Sequence, residues 1–92
     1  MALVFSGHAL KRMIIRNIDP QTVASIIAAG TCIAEYRDDK PFPSRLLSGW
    51  DGNRPIHVVA ATDIENDLEY IITVYEPETG KWDESFTKRR TL

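Results

Sequence analysis

Between Ala9 and Ile27 the apolar side chains recur at three- and four-residue spacing, and beyond Gly30 they gather into short, β-branched runs. The change of period divides the chain into a helical first third and an extended remainder. Ser6 stands where a first helix needs an N-cap, although Ala9 at the third helical position offers no capping box. Ala9, Leu10, Met13 and Ile14 then fall on one arc and are expected in the core, whereas Ile15 fits neither face. Asp19-Pro20 opens a second helix, with proline in the first turn where its missing N–H costs nothing. Val23, Ala24, Ile26 and Ile27 form its expected buried face, and Gly30 its expected left-handed stop. The short Asn17-Ile18 link predicts a helix hairpin.

Downstream, Thr31 to Tyr36, Arg45 to Trp50, Ile56 to Thr62 and Glu69 to Tyr75 read as strands. A charged, proline-bearing loop separates the first two, and Asp51-Gly52-Asn53 is a hairpin signal for the next pair. The polar stretch from Asp63 to Asp67 turns the chain into the last strand, which Pro77 and Gly80 end. Leu3 to Phe5 reads as a short strand or as a lead into the first helix. Trp82 to Leu92 is a tail that either packs through Trp82 and Phe86 or adds a short helix. The expected fold is α+β: one domain over residues 1–92, an N-terminal helix hairpin packed on a roughly four-stranded antiparallel sheet.

Composition narrows this picture only a little. Ninety-two residues supply one core, and the 43% apolar and 26% charged fractions are ordinary for a globular domain. No apolar run approaches the ~20 residues that span a bilayer, and the N-terminus lacks the basic, apolar and small-residue regions of a leader. A cytoplasmic location without a membrane partner is expected. The single Cys32 is expected as a small core residue at the start of a buried strand, and two histidines without a cysteine pair predict no metal and no cofactor. The net charge of −2 argues against gripping long nucleic acid by bulk electrostatics. The charge is nevertheless uneven: Lys11, Arg12 and Arg16 cluster early, and Lys88, Arg89 and Arg90 close the chain.

The chemistry-bearing pattern lies in Ser6 to Arg16. At about 100° per residue, His8, Arg12 and Arg16 project along one stripe of the first helix. An imidazole, a group that titrates near neutrality, thus stands beside two permanent cations, which suits a phosphate or another anion. If the last hairpin turns at Glu65, His57 faces Thr73 across the strands, with Tyr75 two residues along on the same face. Such a set has the parts for metal-independent RNA cleavage. His8 or His57 serves as acid or base, Arg12 and Arg16 hold the phosphate, and Tyr75 donates a proton or stacks on a base. A plainer reading of the same residues stands beside this one. The stripe is a solvated face, His57 a hydrogen-bonded structural histidine, Tyr75 a core-rim residue, the tryptophans packing groups and the basic end a loose tail.

His8-Ala9, Arg12-Met13 and Arg16, followed by an acid-capped second helix, resemble the start of the family catalogued as domain of unknown function 4258. Pro55 to Val59 and Ile72 to Pro77 resemble its two central strands, and Trp82, Phe86 and the basic end also match. The helix-pair-plus-sheet order is similar to RelE and ParE toxins and to small barnase-like and colicin-like ribonucleases. The resemblance implies a bacterial toxin–antitoxin context, an RNA substrate and a neutralising antitoxin protein. Carried onto this chain, it selects His8, Arg12, Arg16, His57, Thr73 and Tyr75. His8, Arg12, His57 and Tyr75 are then the expected catalytic set, with Arg16 and Thr73 as substrate-binding residues. The alternative is a non-catalytic, ParE-like binding module that uses the His8, Arg12 and Arg16 face to hold a partner.

Overall fold

The computed structural model describes residues 1–90. Its elements are β1 (Ala2–Phe5), α1 (Gly7–Arg16), α2 (Pro20–Ala29), β2 (Thr31–Tyr36), β3 (Ser44–Asp51), β4 (Arg54–Asp63) and β5 (Leu68–Tyr75). The architecture is α+β, but the sheet has five strands rather than four and is mixed. Its order is β1-β5-β4-β3-β2, with β1 parallel to β5 and the other neighbours antiparallel. Leu3 to Phe5 is therefore a strand: Leu3 and Phe5 alternate towards the core while Ala2 and Val4 face out. The expected helix hairpin is also revised. The two helices follow each other through a short link, but α1 finds its main packing on β5 and α2 on β3.

The helices cover one face of the sheet. Ala9, Met13, Ile18, Val23 and Ile26 meet Leu47, Ile56, Val58, Ala60, Ile71 and Val74 in one core. The buried stripe is narrower than the periodicity suggests, because each ten-residue helix packs mainly on the sheet. Leu10, Ile14 and Ala24, expected inside, are exposed. Cys32 is likewise exposed, since β2 is an edge strand whose pairing slips between Cys32 and Ala34. Asn17 takes the left-handed stop, at φ 53°, whereas Gly30 is extended at φ −71°. Glycine is needed at 30 for closeness: a Cβ there would lie 2.6 Å from the Ile26 carbonyl oxygen and 2.9 Å from that of Ser48. Arg54 clamps the end of α1, donating to the carbonyls of Arg16 and Asn17 while paired with Asp51.

The β4–β5 register differs from the expected one. The hairpin pairs Asp63 with Leu68, so its centre lies half a residue beyond Glu65, and a bulge at Ile72 adds another residue to β5. His57 consequently faces Tyr75, and Thr73 faces Val59. The shift at this end is two residues, which leaves His57, Thr73 and Tyr75 on one face of the sheet.

That face, opposite the helices, is covered at one end by the tail. No short helix forms among the described residues; Trp82 bridges to Arg89, and Thr91 and Leu92 lie outside the described residues. Asp83 organises the turn by accepting from the Ser85 hydroxyl and the Thr87 amide, and the Ser85 bond chiefly lowers its carboxyl pKa. His57 is fully buried beneath this segment, with its ring edge-on to Trp82 at 4.6 Å and Nε2 2.7 Å from the Phe86 carbonyl oxygen. Burial pushes the His57 pKa down, and the Phe86 hydrogen bond only partly offsets it. No helix among the described residues is long and apolar enough to cross a membrane.

Two outcomes test this packing. A Cβ at Gly49 would stand 2.5 Å from Ile26 Cγ1, so Gly49→Ala should cost about 1–3 kcal/mol in a urea titration. The lowered His57 pKa means that the unfolded chain takes up the proton first as pH falls. Stability is thus complete above the ordinary imidazole pKa and drains as pH drops through the lower folded value. Denaturation midpoints measured at neutral pH and near about pH 5 should fall for the parent and fall less for His57→Gln.

Candidate functional site

The site begins where β1 stops. Phe5 is the last residue paired with β5, at Ile71, and the Ser6 amide then donates to the Ile71 carbonyl. The Ser6 side chain does two further things. Its oxygen accepts from the Ala9 amide at 3.0 Å, capping α1, and its hydroxyl donates to the Ile72 carbonyl at 2.9 Å. The helix is thereby started directly against the bulge, and its first turn lies beside the uncovered end of β5. His8 Nε2 consequently meets Thr73 Oγ1 at 3.0 Å, a link between the helix stripe and the strand.

Arg12 and Arg16 follow His8 down the same stripe. With Thr73 and Tyr75 from β5, and Glu76, Glu78, Lys81, Trp82 and Arg89 from the segment beyond it, they line an open groove of about 400 Å³. Five of the six expected site residues therefore come together: His8, Arg12, Arg16, Thr73 and Tyr75. His57 does not line the groove. It sits behind Tyr75, its Nδ1 3.3 Å from the Tyr75 hydroxyl and the two rings edge-on at 5.3 Å. Burial raises the Tyr75 pKa, with Tyr36 adding to the rise and Arg89 opposing it. The phenol is thus held in its neutral form.

The groove wall supplied by the tail is what sequence reasoning missed. Trp82 reads as packing, and it is buried; but its neighbour Lys81 and its bridge partner Arg89 reach the groove, with the Arg89 guanidinium 5.4 Å from the Trp82 ring centre. The usable signal was Asp83 followed by Ser85 and Thr87, a hydroxyl-rich turn that folds the basic end back. Glu76 lies within the Ile72 to Pro77 run but was given no role there, and Glu78 falls in no motif. Chemically, the groove offers four cations, two carboxylates, an imidazole and two hydroxyls around one space. That set can hold an anion between guanidinium groups and move a proton beside it. Among the described residues no group of His, Cys, Asp and Glu side chains is arranged to hold a metal ion.

No curated protein and no solved structure matches the chain. The family model for Domain of unknown function (DUF4258) matches residues 5–76, from the end of β1 to the first residue after β5, and the chain belongs to that family.

Proposed function

We propose that this protein is a toxin-type endoribonuclease that cleaves single-stranded RNA without a metal ion, using the 2′-hydroxyl as nucleophile. The observation that carries the reading is the shared groove of His8, Arg12, Arg16, Thr73 and Tyr75. Arg12 and Arg16 hold the phosphodiester and stabilise the charge that builds on its oxygens during attack. The 2′-oxygen forms a bond to phosphorus as the bond to the 5′-oxygen breaks, leaving a cyclic phosphate and a 5′-hydroxyl. His8, held by Thr73, gives a proton to the departing 5′-oxygen. Lys81 and Arg89 extend the cationic lining, and Glu76 and Glu78 temper it. Affinity therefore comes from a few placed contacts rather than bulk attraction, which accords with a net charge of −2. The resemblance of the helix-pair-plus-sheet sequence order to RelE-type toxins and barnase-like ribonucleases enters this proposal as a fold-level analogy, not as a finding.

A second reading is a ParE-like binding module whose α1 holds a partner protein. It is favoured by the exposed apolar side chains on that helix, Ile14 at 80% and Ile15 at 61% exposure. The same surface suits a neutralising antitoxin if the enzyme reading holds, with the cytoplasm as the implied location.

Purified protein incubated with single-stranded RNA and a chelator should yield cyclic or 3′-phosphate ends. His8→Ala should lose about 10²–10⁴ in rate with its fold intact by circular dichroism. Arg12→Ala should weaken binding to every RNA sequence and reduce the salt slope by about one. A His8→Ala protein as active as its parent defeats the catalytic assignment. Absence of cleavage, with partner capture abolished by charge reversal at Arg12 and Arg16, selects the binding module instead.

A further inference from the structure

The groove contains a hydroxyl whose direction is settled from behind. The Phe86 carbonyl oxygen can only accept, so the proton of the buried His57 ring lies on Nε2, 2.7 Å away. Burial keeps this ring neutral, which leaves Nδ1 bare. Its partner at 3.3 Å, the neutral Tyr75 phenol, must therefore donate inward. The Tyr75 oxygen is left with its lone pairs for whatever occupies the groove.

From this polarity we infer that Tyr75 and His57 form a two-member proton relay, in which Tyr75 Oη receives the proton of a ribose 2′-hydroxyl and His57 Nδ1 receives the proton of Tyr75. The inference rests on the endoribonuclease reading and deepens it by assigning the base and the requirement for ribose. As the 2′-oxygen bonds to phosphorus, its proton moves to Tyr75 Oη and the phenolic proton moves to His57. His57 becomes an imidazolium whose Nε2–H remains on the Phe86 carbonyl, and Tyr75 ends as the neutral phenol it began as. Only Tyr75 touches the substrate; His57 is a positioning residue that acts through it. Around the pair, Ser48 from β3 shares the Phe86 carbonyl with His57, and Trp82 from the tail stacks edge-on against the ring. Tyr75 is influenced by Tyr36 and Arg89, and it shares its groove with His8, Arg12 and Arg16 from α1 and with Glu76, Glu78 and Lys81 from the segment beyond β5.

Three measurements on the whole protein test the relay. Nitrogen-15 spectra without RNA should show His57 protonated on Nε2 and bare on Nδ1; a proton on Nδ1 overturns the proposal whatever the activity. With a single-stranded RNA oligonucleotide and chelator, His57→Gln should keep KM and lose about 10²–10⁴ in kcat, because an amide accepts the Tyr75 hydrogen bond but takes no proton. The acid limb of the parent's kcat profile should vanish in that variant, which a purely structural role would not produce. Should His57→Gln fail to fold, Tyr75→Phe removes the hydroxyl alone and is expected to show the same loss. Wild-type kcat in either folded variant overturns the relay and leaves the endoribonuclease reading standing. An inactive parent overturns both. The matching DNA oligonucleotide should bind but remain uncut, and its cleavage would overturn the relay.

Discussion

The candidate site depends on one short polar junction, Ser6. A strand that ends beside a longer neighbour leaves that neighbour's carbonyls without partners, and buried carbonyls tolerate this poorly. Here the ladder between β1 and β5 ends at Phe5, and Ser6 takes over: its amide serves Ile71 and its hydroxyl serves Ile72. The same oxygen caps α1 through the Ala9 amide. One side chain therefore terminates a strand, starts a helix and fixes where the helix meets the bulge. The distance of His8 from Thr73 follows from this placement, and the positions of Arg12 and Arg16 follow from helical geometry. The far end of the helix is held by Arg54, so the cationic stripe is anchored at both ends.

The opposite wall of the groove depends on a buried polar contact rather than on a regular element. Residues beyond β5 form no helix among those described, yet they hold Lys81 and Arg89 against the groove. The Phe86 carbonyl is the anchor: it accepts from both His57 and Ser48, which face each other on β4 and β3. Phe86 itself adopts φ 60°, a left-handed conformation that costs a non-glycine residue about 1–2 kcal/mol. Two hydrogen bonds, the buried Trp82 and the edge contact of Phe86 with Trp50 offset that cost. A buried histidine thus has a structural task, and the relay makes further use of the one nitrogen that this task leaves bare.

Much of this was legible in the residues, and the failures share a cause. Ser6, Asp19 and Pro20 mark both helix starts because caps are local chemistry, and every strand after Gly30 stands close to where its β-branched run placed it. The family was legible too, from His8, Arg12, the His57 strand and the Thr73-Val74-Tyr75 run. What escaped depends on packing and hydrogen bonds that hydrophobic periodicity does not encode. Leu10 and Ile14 carry helical periodicity, but their side of α1 is left exposed. Gly30 resembles a left-handed stop, yet it is selected by the nearness of Ile26 and Ser48. The tail has no periodicity at all, and its fold is written in the Asp83, Ser85 and Thr87 turn together with a carbonyl on a buried histidine.

The register error is the most informative of these, because the feature that caused it also builds the site. Close to the turn the true pairing differs from the expected one by a single residue, which moves Ile71 onto the core face with Ala60. The bulge at Ile72 then absorbs one more residue, restoring the expected faces for Thr73 and Tyr75 while shifting their partners. Without the extra residue, a strand that buries Ile71 would turn Thr73 and Tyr75 onto the opposite faces from those they occupy, because side chains alternate with strict period two. A regular β5 would therefore keep either its core residues or its polar groove residues, not both. The bulge lets one strand serve a hydrophobic core at Ile71 and the cation-lined candidate groove two residues later.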